Sequence, residues 1–444
     1  PLFFYLSAVM TRVFGVGYAA LRMVSILATL GSCTVLAVMT YRETRNRTAA
    51  LASAGLFAML YSLVLSWYDI GRVDSLSIFF FLLALFCMRF SHPVLAAVVW
   101  VLAFQTKQSF LPLAVLAFFA GWQRPKRLVL GLASFGCLAA GSIWWLNHTS
   151  GGWYSYYVFG SVKELGPSFF YAKTYIPYDL VQPLALALVL MLFAVWLQPN
   201  FWRTEKGHFY GYLTLLIVAG VWFARAHVGS YFNTLLPVYA WLCLLFGLAL
   251  DRVARQLPSL LGPAQTSAAP LQFAWPALIW LIAFAQIALH LYRPGSFAMS
   301  ADTERVRWNF IHHVHDTPGD VWLVNHSYDT ILAGKGMHAE MDAFDAVLGR
   351  PDAPSVAELQ QAIRDHRFTA IVLDRVPDTY SPDWVFNDAA FRSAYPLRAF
   401  APGAPMPGTG DQPVLIFLPC NPAPAASLAL PLDRTFVQQS GCTH

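Results

Sequence analysis

An α-helical polytopic membrane protein with a small C-terminal α/β domain is the fold class that the sequence predicts. Three observations lead there. Of 444 residues, 57% are hydrophobic and 12% are charged, about half the charge of an ordinary soluble domain. Several apolar runs reach or approach the roughly 20 residues that cross a bilayer. The charge balance also changes along the chain: 18 of 29 basic and 7 of 24 acidic residues precede residue 293, so the first part carries +11 and the tail −6. That change places a domain boundary at 292/293.

In chain order, residues 2–14 predict a short amphipathic helix lying at the interface. Ten spans are expected to follow, at 17–40, 47–67, 75–90, 93–105, 109–123, 129–146, 181–199, 208–225, 231–250 and 271–291. The basic loops carry Arg42, Arg45 and Arg47, then Arg89, then Arg124, Lys126 and Arg127, then Arg203 and Lys206, then Arg252 and Arg255. All fall on one side if every span crosses, and the positive-inside rule makes that side cytoplasmic. The stretch 93–123 is expected as a hairpin of two short helices with Lys107 at the outer turn. The alternative, one long helix with Lys107 at mid-membrane, would reverse every later loop. The outer side receives the loop near 68–74, the 105–109 turn, a long 147–180 loop, the 225–230 turn and the tail. The chain begins at Pro1 with no signal-peptide pattern, and an upstream segment is expected.

The tail, 293–444, changes rhythm. Residues 320–325, 369–374 and 413–419 are expected as buried strands. Residues 355–368 predict a helix opened by Ser355, with Glu358 at the capping-box position. A helix from about 302 to 316 carries His312, His313 and His315, read as a partly solvated face and not a metal site. Cys33, Cys87, Cys137 and Cys243 sit in apolar spans as small hydrophobes, whereas Cys420 and Cys442 leave a disulfide open in the tail. The sequons at Asn147 and Asn325 would matter only in a eukaryotic secretory pathway.

The stretch "YDIGRVDSLSIFFFLLALF", residues 68–86, sets Asp69, Arg72 and Asp74 at the mouth of an apolar helix, where charge is expensive. On the outer side before the tail the carboxylates are Asp69, Asp74, Glu164 and Asp179. The cations are Arg12, Arg72, Lys107, Lys163, Lys173 and Arg225. Such a set suits chemistry on a lipid-borne phosphate. A carboxylate can take a proton from an acceptor hydroxyl, and Lys or Arg can hold the phosphate and stabilise charge as it leaves. Each residue also has a plainer role open to it. Asp74 would cap its helix, Arg72 would pair with Asp69 or meet headgroups, Lys107 and Arg22 would snorkel, and Glu164 and Asp179 would be solvated. "RAHVGSYFNTLLP" (225–237) places Arg225, His227, Tyr231 and Asn233 around a glycine turn. "GGWYSYYVFG" (151–160) is either an interfacial aromatic belt or a wall for a sugar or polyprenyl chain.

These motifs together resemble the GT-C glycosyltransferases, especially family 39-like enzymes such as protein O-mannosyltransferases and aminoarabinose transferases of lipid A. "PLFFYLSAVMTRVFG" is similar to a "PPLYY"-type segment, "LRMVSIL" to "LRLPS", and "GRVDSLSIFFFLLAL" to an "ARxD" helix start. "LAFQTKQSFLPL" is similar to an "LTKG" turn with Gln108 in place of Gly, and "GSYFNTLLPVYAWL" to a late Gly/Asn/Pro stretch. The resemblance covers about residues 1–292. It implies that Asp74 is an acidic residue of the site, with Arg72 beside it and Lys107 near the lipid phosphate. Taken with the outer-face set, Asp74 and Asp69 are the expected catalytic carboxylates, and Arg72, Lys107, Gln108, Arg225, His227, Tyr231 and Asn233 the expected substrate contacts. The resemblance also implies a soluble outer domain and a principal catalytic carboxylate upstream of Pro1. A divalent metal is left open, since members differ.

The function expected is transfer of a sugar from a polyprenyl-phosphate donor to a hydroxyl of a glycan, lipid or protein, with inversion. It would take place on the outer face of a bacterial inner membrane, with no nucleic-acid partner. A flippase or transporter of a lipid-linked sugar, or a non-catalytic scaffold, are the alternatives. Against the transporter, no inverted repeat is visible, and no charge sits mid-span outside the single-helix reading of Lys107.

Overall fold

The computed structural model describes residues 1–160, 166–260, 269–298, 300–338, 340, 354–373, 389–401, 414–419 and 433–439. The chain forms two compact units, Pro1–Phe297 and Ala298–His444.

The first unit is a helix bundle. Its early helices are α1 (Leu2–Phe14), α2 (Tyr18–Thr44), α3 (Arg47–Met59), α4 (Val73–Phe90), α5 (Pro93–Thr106), α6 (Phe110–Ala117) and α7 (Pro125–Thr149). Among the described residues, six helices are long and apolar enough to cross a membrane: α2, α4, α7, Phe169–Trp196, Glu205–Arg225 and Phe232–Gln256. Ten spans were expected, and the difference lies in short helices. Pro93–Thr106 and Phe110–Gly121 break at Lys107, whose backbone is extended (φ −146°, ψ 119°). The Ala269–Ala288 helix contributes a described apolar stretch of Ala277–Ala288.

Two expectations fail more clearly. The expected span 47–67 is helical only to Met59; turns follow to Gly71, with Leu65 and Ser66 at positive φ. Backbone groups outside a helix must find other partners, and here carbonyls in and beside this stretch do. Thr29 donates to the Tyr68 carbonyl (2.6 Å), Ser75 to the same oxygen (2.8 Å), Ser25 to the Arg72 carbonyl (3.2 Å), and Tyr68 reaches the Phe57 carbonyl (2.9 Å). Among the described residues, the long loop expected at 147–180 is instead largely helical. α7 runs on to Thr149, and the later helix begins at Phe169, where Ser168 caps Tyr171 N–H.

Close packing sets the bundle. A Cβ at Gly247 would come within 2.8–2.9 Å of Ser53, Ala49 and Thr40, the small-residue contact that lets membrane helices approach. Phe81 packs on Trp100 and Phe110 (centroids 5.9 and 5.5 Å) and locks α4, α5 and α6 together. Cys33, Cys87, Cys137 and Cys243 are free thiols, as small hydrophobes in apolar spans should be.

The second unit holds a five-stranded mixed sheet, β1 (Asp320–Leu323), β2 (Phe368–Leu373), β3 (Leu397–Ala401), β4 (Val414–Leu418) and β5 (Asp433–Gln439), in the order β1-β2-β4-β3-β5. Among the described residues, only β1–β2 is parallel. The expected strands are β1, β2 and β4; β3 and β5 were not foreseen. Alternate residues serve two faces. Val321 and Leu323 pack with Phe310 and Val314 of the Ala301–Asp316 helix, while Trp322 packs with Leu359 and Ile363 of the Pro354–Arg364 helix. The latter helix starts at Pro354, ahead of the expected Ser355 cap, and ends at Arg364, short of 368. Cys420 and Cys442 lie outside the described residues, as do Lys163 and Glu164.

Candidate active site

The site is built at the amino end of α4. The turns before it place Gly71 so close to α2 that a Cβ there would lie 2.9 Å from Leu21 Cβ. Only glycine allows the chain to enter α4 along this line. Arg72 is the residue preceding the helix, and Asp74 sits inside its first turn with no side-chain cap bond. Asp74 is therefore not the cap, although the positive end of the helix still favours its charge.

Asp74 is 1% exposed. Its Oδ1 accepts from Lys107 Nζ (2.7 Å) and from Asn233 Nδ2 (2.9 Å). Its Oδ2 has no hydrogen-bond partner and lies 3.6 Å from Arg72 Nε. A buried carboxylate is stable only when paired and hydrogen-bonded, so three segments distant in sequence must converge here. Lys107 comes from the break between α5 and α6, where its extended backbone turns the side chain onto Asp74. Asn233 comes from the turn before the Leu236–Leu260 helix. Lys107 does not snorkel alone; it faces Asp74.

The mouth is aromatic and cationic. The Arg72 guanidinium stands 4.9 Å from the Trp67 ring centroid, a cation–π distance. Trp67 in turn lies 6.4 Å from Tyr231. Arg72, Gln108 and Tyr231 are exposed. Gln108 stands at the surface of the Lys107 turn, where its carbonyl accepts from Leu111 N–H (3.0 Å).

Asp69 belongs to a different pair. Its carboxylate meets Arg22, and Tyr61 donates to it (3.0 Å). Arg22 also donates to the Asp69 carbonyl (3.2 Å). The plainer readings of Arg22 as a snorkelling side chain and of Arg72 as the partner of Asp69 are both corrected: Arg22 takes Asp69, which leaves Arg72 for Asp74. Geometry thus separates the two carboxylates of the opening motif.

Arg225 and Asp179 form a buried pair (Nε–Oδ2 3.0 Å). The expectation of a solvated Asp179 is overturned, because the helix that replaces the long loop carries it inward. Arg225 donates to the Ser230 carbonyl (2.6 Å) and is covered by Tyr171 (4.4 Å). It holds the 226–231 turn, and so places Asn233 against Asp74, but stays 6% exposed. His227 makes its ring contact with the Phe223 carbonyl (2.8 Å) and shares a β-bridge with Pro167. Of the predicted set, Asp74, Arg72, Lys107 and Asn233 come together, with Tyr231 and Gln108 at the rim; Asp69, Arg225 and His227 do not touch Asp74.

Three residues outside the predicted set form a polar patch at the end of α5. Buried Gln105 donates to Ser142 Oγ (2.8 Å) and accepts from Tyr154 (3.0 Å). The available signal was a pair of polar residues, Gln105 and Ser142, on otherwise apolar helices. Tyr154 ties the aromatic 151–160 stretch to this polar patch. Among the described residues, no group of three His, Cys, Asp or Glu side chains is placed to hold a metal ion. His315 contacts the Ala333 carbonyl (2.9 Å).

A multi-pass helix bundle with a break-and-turn site, together with a small α/β unit, defines a polytopic membrane protein, and solved structures share its fold. The chain is similar to ArnT from Cupriavidus metallidurans in the apo state, with a TM-score of 0.58 and 14% identity over 94% of this chain and 87% of that one. It is likewise similar to ArnT from the same organism bound to undecaprenyl phosphate, with a TM-score of 0.56 and 15% identity over the same shares. At these identities the likeness is one of fold. No protein-family model and no curated protein sequence matches the chain.

Proposed function

We propose that this protein is a membrane glycosyltransferase that moves a sugar from a polyprenyl-phosphate donor to an acceptor hydroxyl. One observation carries the proposal. Asp74 is buried and tied by Lys107 and Asn233, yet keeps one oxygen free beneath the Arg72 guanidinium. The shared fold supports it, since one solved structure with this fold holds undecaprenyl phosphate. In the proposed reaction Lys107 and Arg72 bind the donor phosphate, a task to which charged donors are suited. The acceptor oxygen attacks the anomeric carbon from the opposite side. The bond from that carbon to the phosphate oxygen breaks, and its electron pair leaves with the polyprenyl phosphate. The hydroxyl proton passes to the free oxygen of Asp74 and then to solvent. Configuration inverts.

The test is transfer of labelled sugar by the purified full-length protein, with any segment upstream of Pro1 included, from pentose- and hexose-charged polyprenyl phosphates. Asp74→Asn should slow transfer about a hundredfold or more, the usual scale for a general acid–base group. Near-normal transfer by Asp74→Asn would overturn the assignment. We also place the mouth of the site and the Ala298–His444 unit on the outer face, from the one-sided basic loops. In a cysteine-free background, an impermeant thiol reagent applied to intact cells should label Asp302→Cys and spare Lys126→Cys. The reverse pattern would invert the topology.

A further inference from the structure

At the other end of α4 a second charged site is assembled. Arg89 lies 15 residues beyond Asp74 on the same helix, about 22 Å away along its axis. A cavity of about 60 Å³ opens there, walled by Arg89, Arg124, Arg127 and Glu205 and floored by Phe118 and Phe209. One water needs roughly 10–15 Å³, so the space admits a group the size of a phosphate.

The arginines are held in different ways. Arg89 is fixed by Glu43 (2.7 Å), which is itself buried and also bound by Lys206 (2.6 Å) and Tyr210 (3.0 Å). This partly buried network holds the Arg89 guanidinium beside the cavity. Arg124 meets Glu205 (2.8 Å), but both are about half exposed, a pairing of small strength that an incoming anion can displace. Arg127 has no acidic partner among the described residues. The lining therefore carries a net +2. Trp122, Phe119 and Val129 are exposed apolar side chains of the same region, the surface an acyl chain would cover.

We infer that this cavity binds a phosphate group, held by Arg89, Arg124 and Arg127, on an anionic lipid or a free phosphate ester. Forked guanidinium groups match phosphate geometry. Such a ligand would tie α4, α7 and the Glu205–Arg225 helix together at the end away from Asp74.

The test uses the full chain purified in neutral detergent. Phosphatidylglycerol, phosphatidylcholine or inorganic phosphate is added, and thermal unfolding and native mass spectrometry are read. The expected result is a selective upward shift and retained adducts with phosphatidylglycerol, weakened at least tenfold in Arg124→Ala/Arg127→Ala. Lys126→Ala removes the same kind of charge from a neighbour outside the lining and should keep wild-type binding. An equal, variant-sensitive shift with inorganic phosphate would assign the site to free phosphate; a shift with phosphatidylglycerol alone would assign it to lipid. Equal loss in Lys126→Ala, or no preference for phosphatidylglycerol or phosphate over phosphatidylcholine, would overturn the site and leave a diffuse basic surface. Because the readout is binding, it is independent of sugar transfer.

Discussion

Replacing Lys107 with methionine keeps the apolar stem and removes the charge that faces Asp74. At 2.7 Å the bare attraction at an effective dielectric constant of 20 is about 6 kcal/mol, much of it offset by desolvation. Breaking a buried pair from one side typically costs 3–5 kcal/mol, because the remaining charge is stranded. Lys107 keeps 24% of its side chain exposed while Asp74 is at 1%, so the lower end, about 3 kcal/mol, applies. The matching experiment is a double-variant cycle. Asp74→Asn/Lys107→Met strands no charge and keeps the Asn233 contact, so its stability should return to within about 1 kcal/mol of wild type. Its sugar transfer should not return, because both the proton acceptor and the phosphate clamp are gone. Thermal unfolding in detergent and transfer from a polyprenyl-phosphate donor read the two arms. A Lys107→Met protein as stable as wild type would show that the pair does not hold the site together. A double variant with restored transfer would show that the pair is structural only.

Asp69→Asn should slow transfer less than tenfold, because Asp69 is committed to Arg22 and Tyr61; a loss matching Asp74→Asn in the same assay would restore it as a catalytic carboxylate. Arg225→Leu should destabilise the first unit by about 3–5 kcal/mol by stranding Asp179, seen as a lower unfolding temperature. Arg225→Leu/Asp179→Leu should recover most of that loss. His338 packs its ring on Phe368 (4.9 Å) with Asp320 at 3.7 Å, and burial lowers its pKa below 6.5 against the opposing pull of Asp320. The unfolded chain then binds a proton that the folded one resists, so the second unit is most stable above pH 6.5 and loses stability as pH falls below it. Hydrogen exchange of Phe368–Leu373 between pH 7.5 and 5.5, corrected for intrinsic rates, should show this loss, and His338→Gln should flatten it.

Much of the architecture follows from patterns that act locally. A long apolar run becomes a helix in lipid because its backbone must bond within itself, and the short apolar runs in 320–325 and 369–374 have the length and β-branched content of buried strands. The break at Lys107 was legible because a cation between two short apolar runs cannot sit at the bilayer centre without a partner. Composition and order of motifs likewise pointed to Asp74, Arg72, Lys107 and Asn233. Sequence could not say which cation takes which carboxylate. Asp69 and Asp74 lie five residues apart beside the same Arg72, and both look equally placed along the chain. The choice was made by α2, whose Arg22 reaches Asp69, and by a turn 159 residues beyond Asp74 that delivers Asn233. Tertiary packing also turned Asp179 inward onto Arg225, ended the 47–67 helix at Met59, and set Gln105 against Ser142 and Tyr154. Hydrophobic periodicity acts over a few residues and is written into any short window. Ion pairs and buried hydrogen bonds depend on which segments meet, and in this protein the meeting is decided only once the helices have packed.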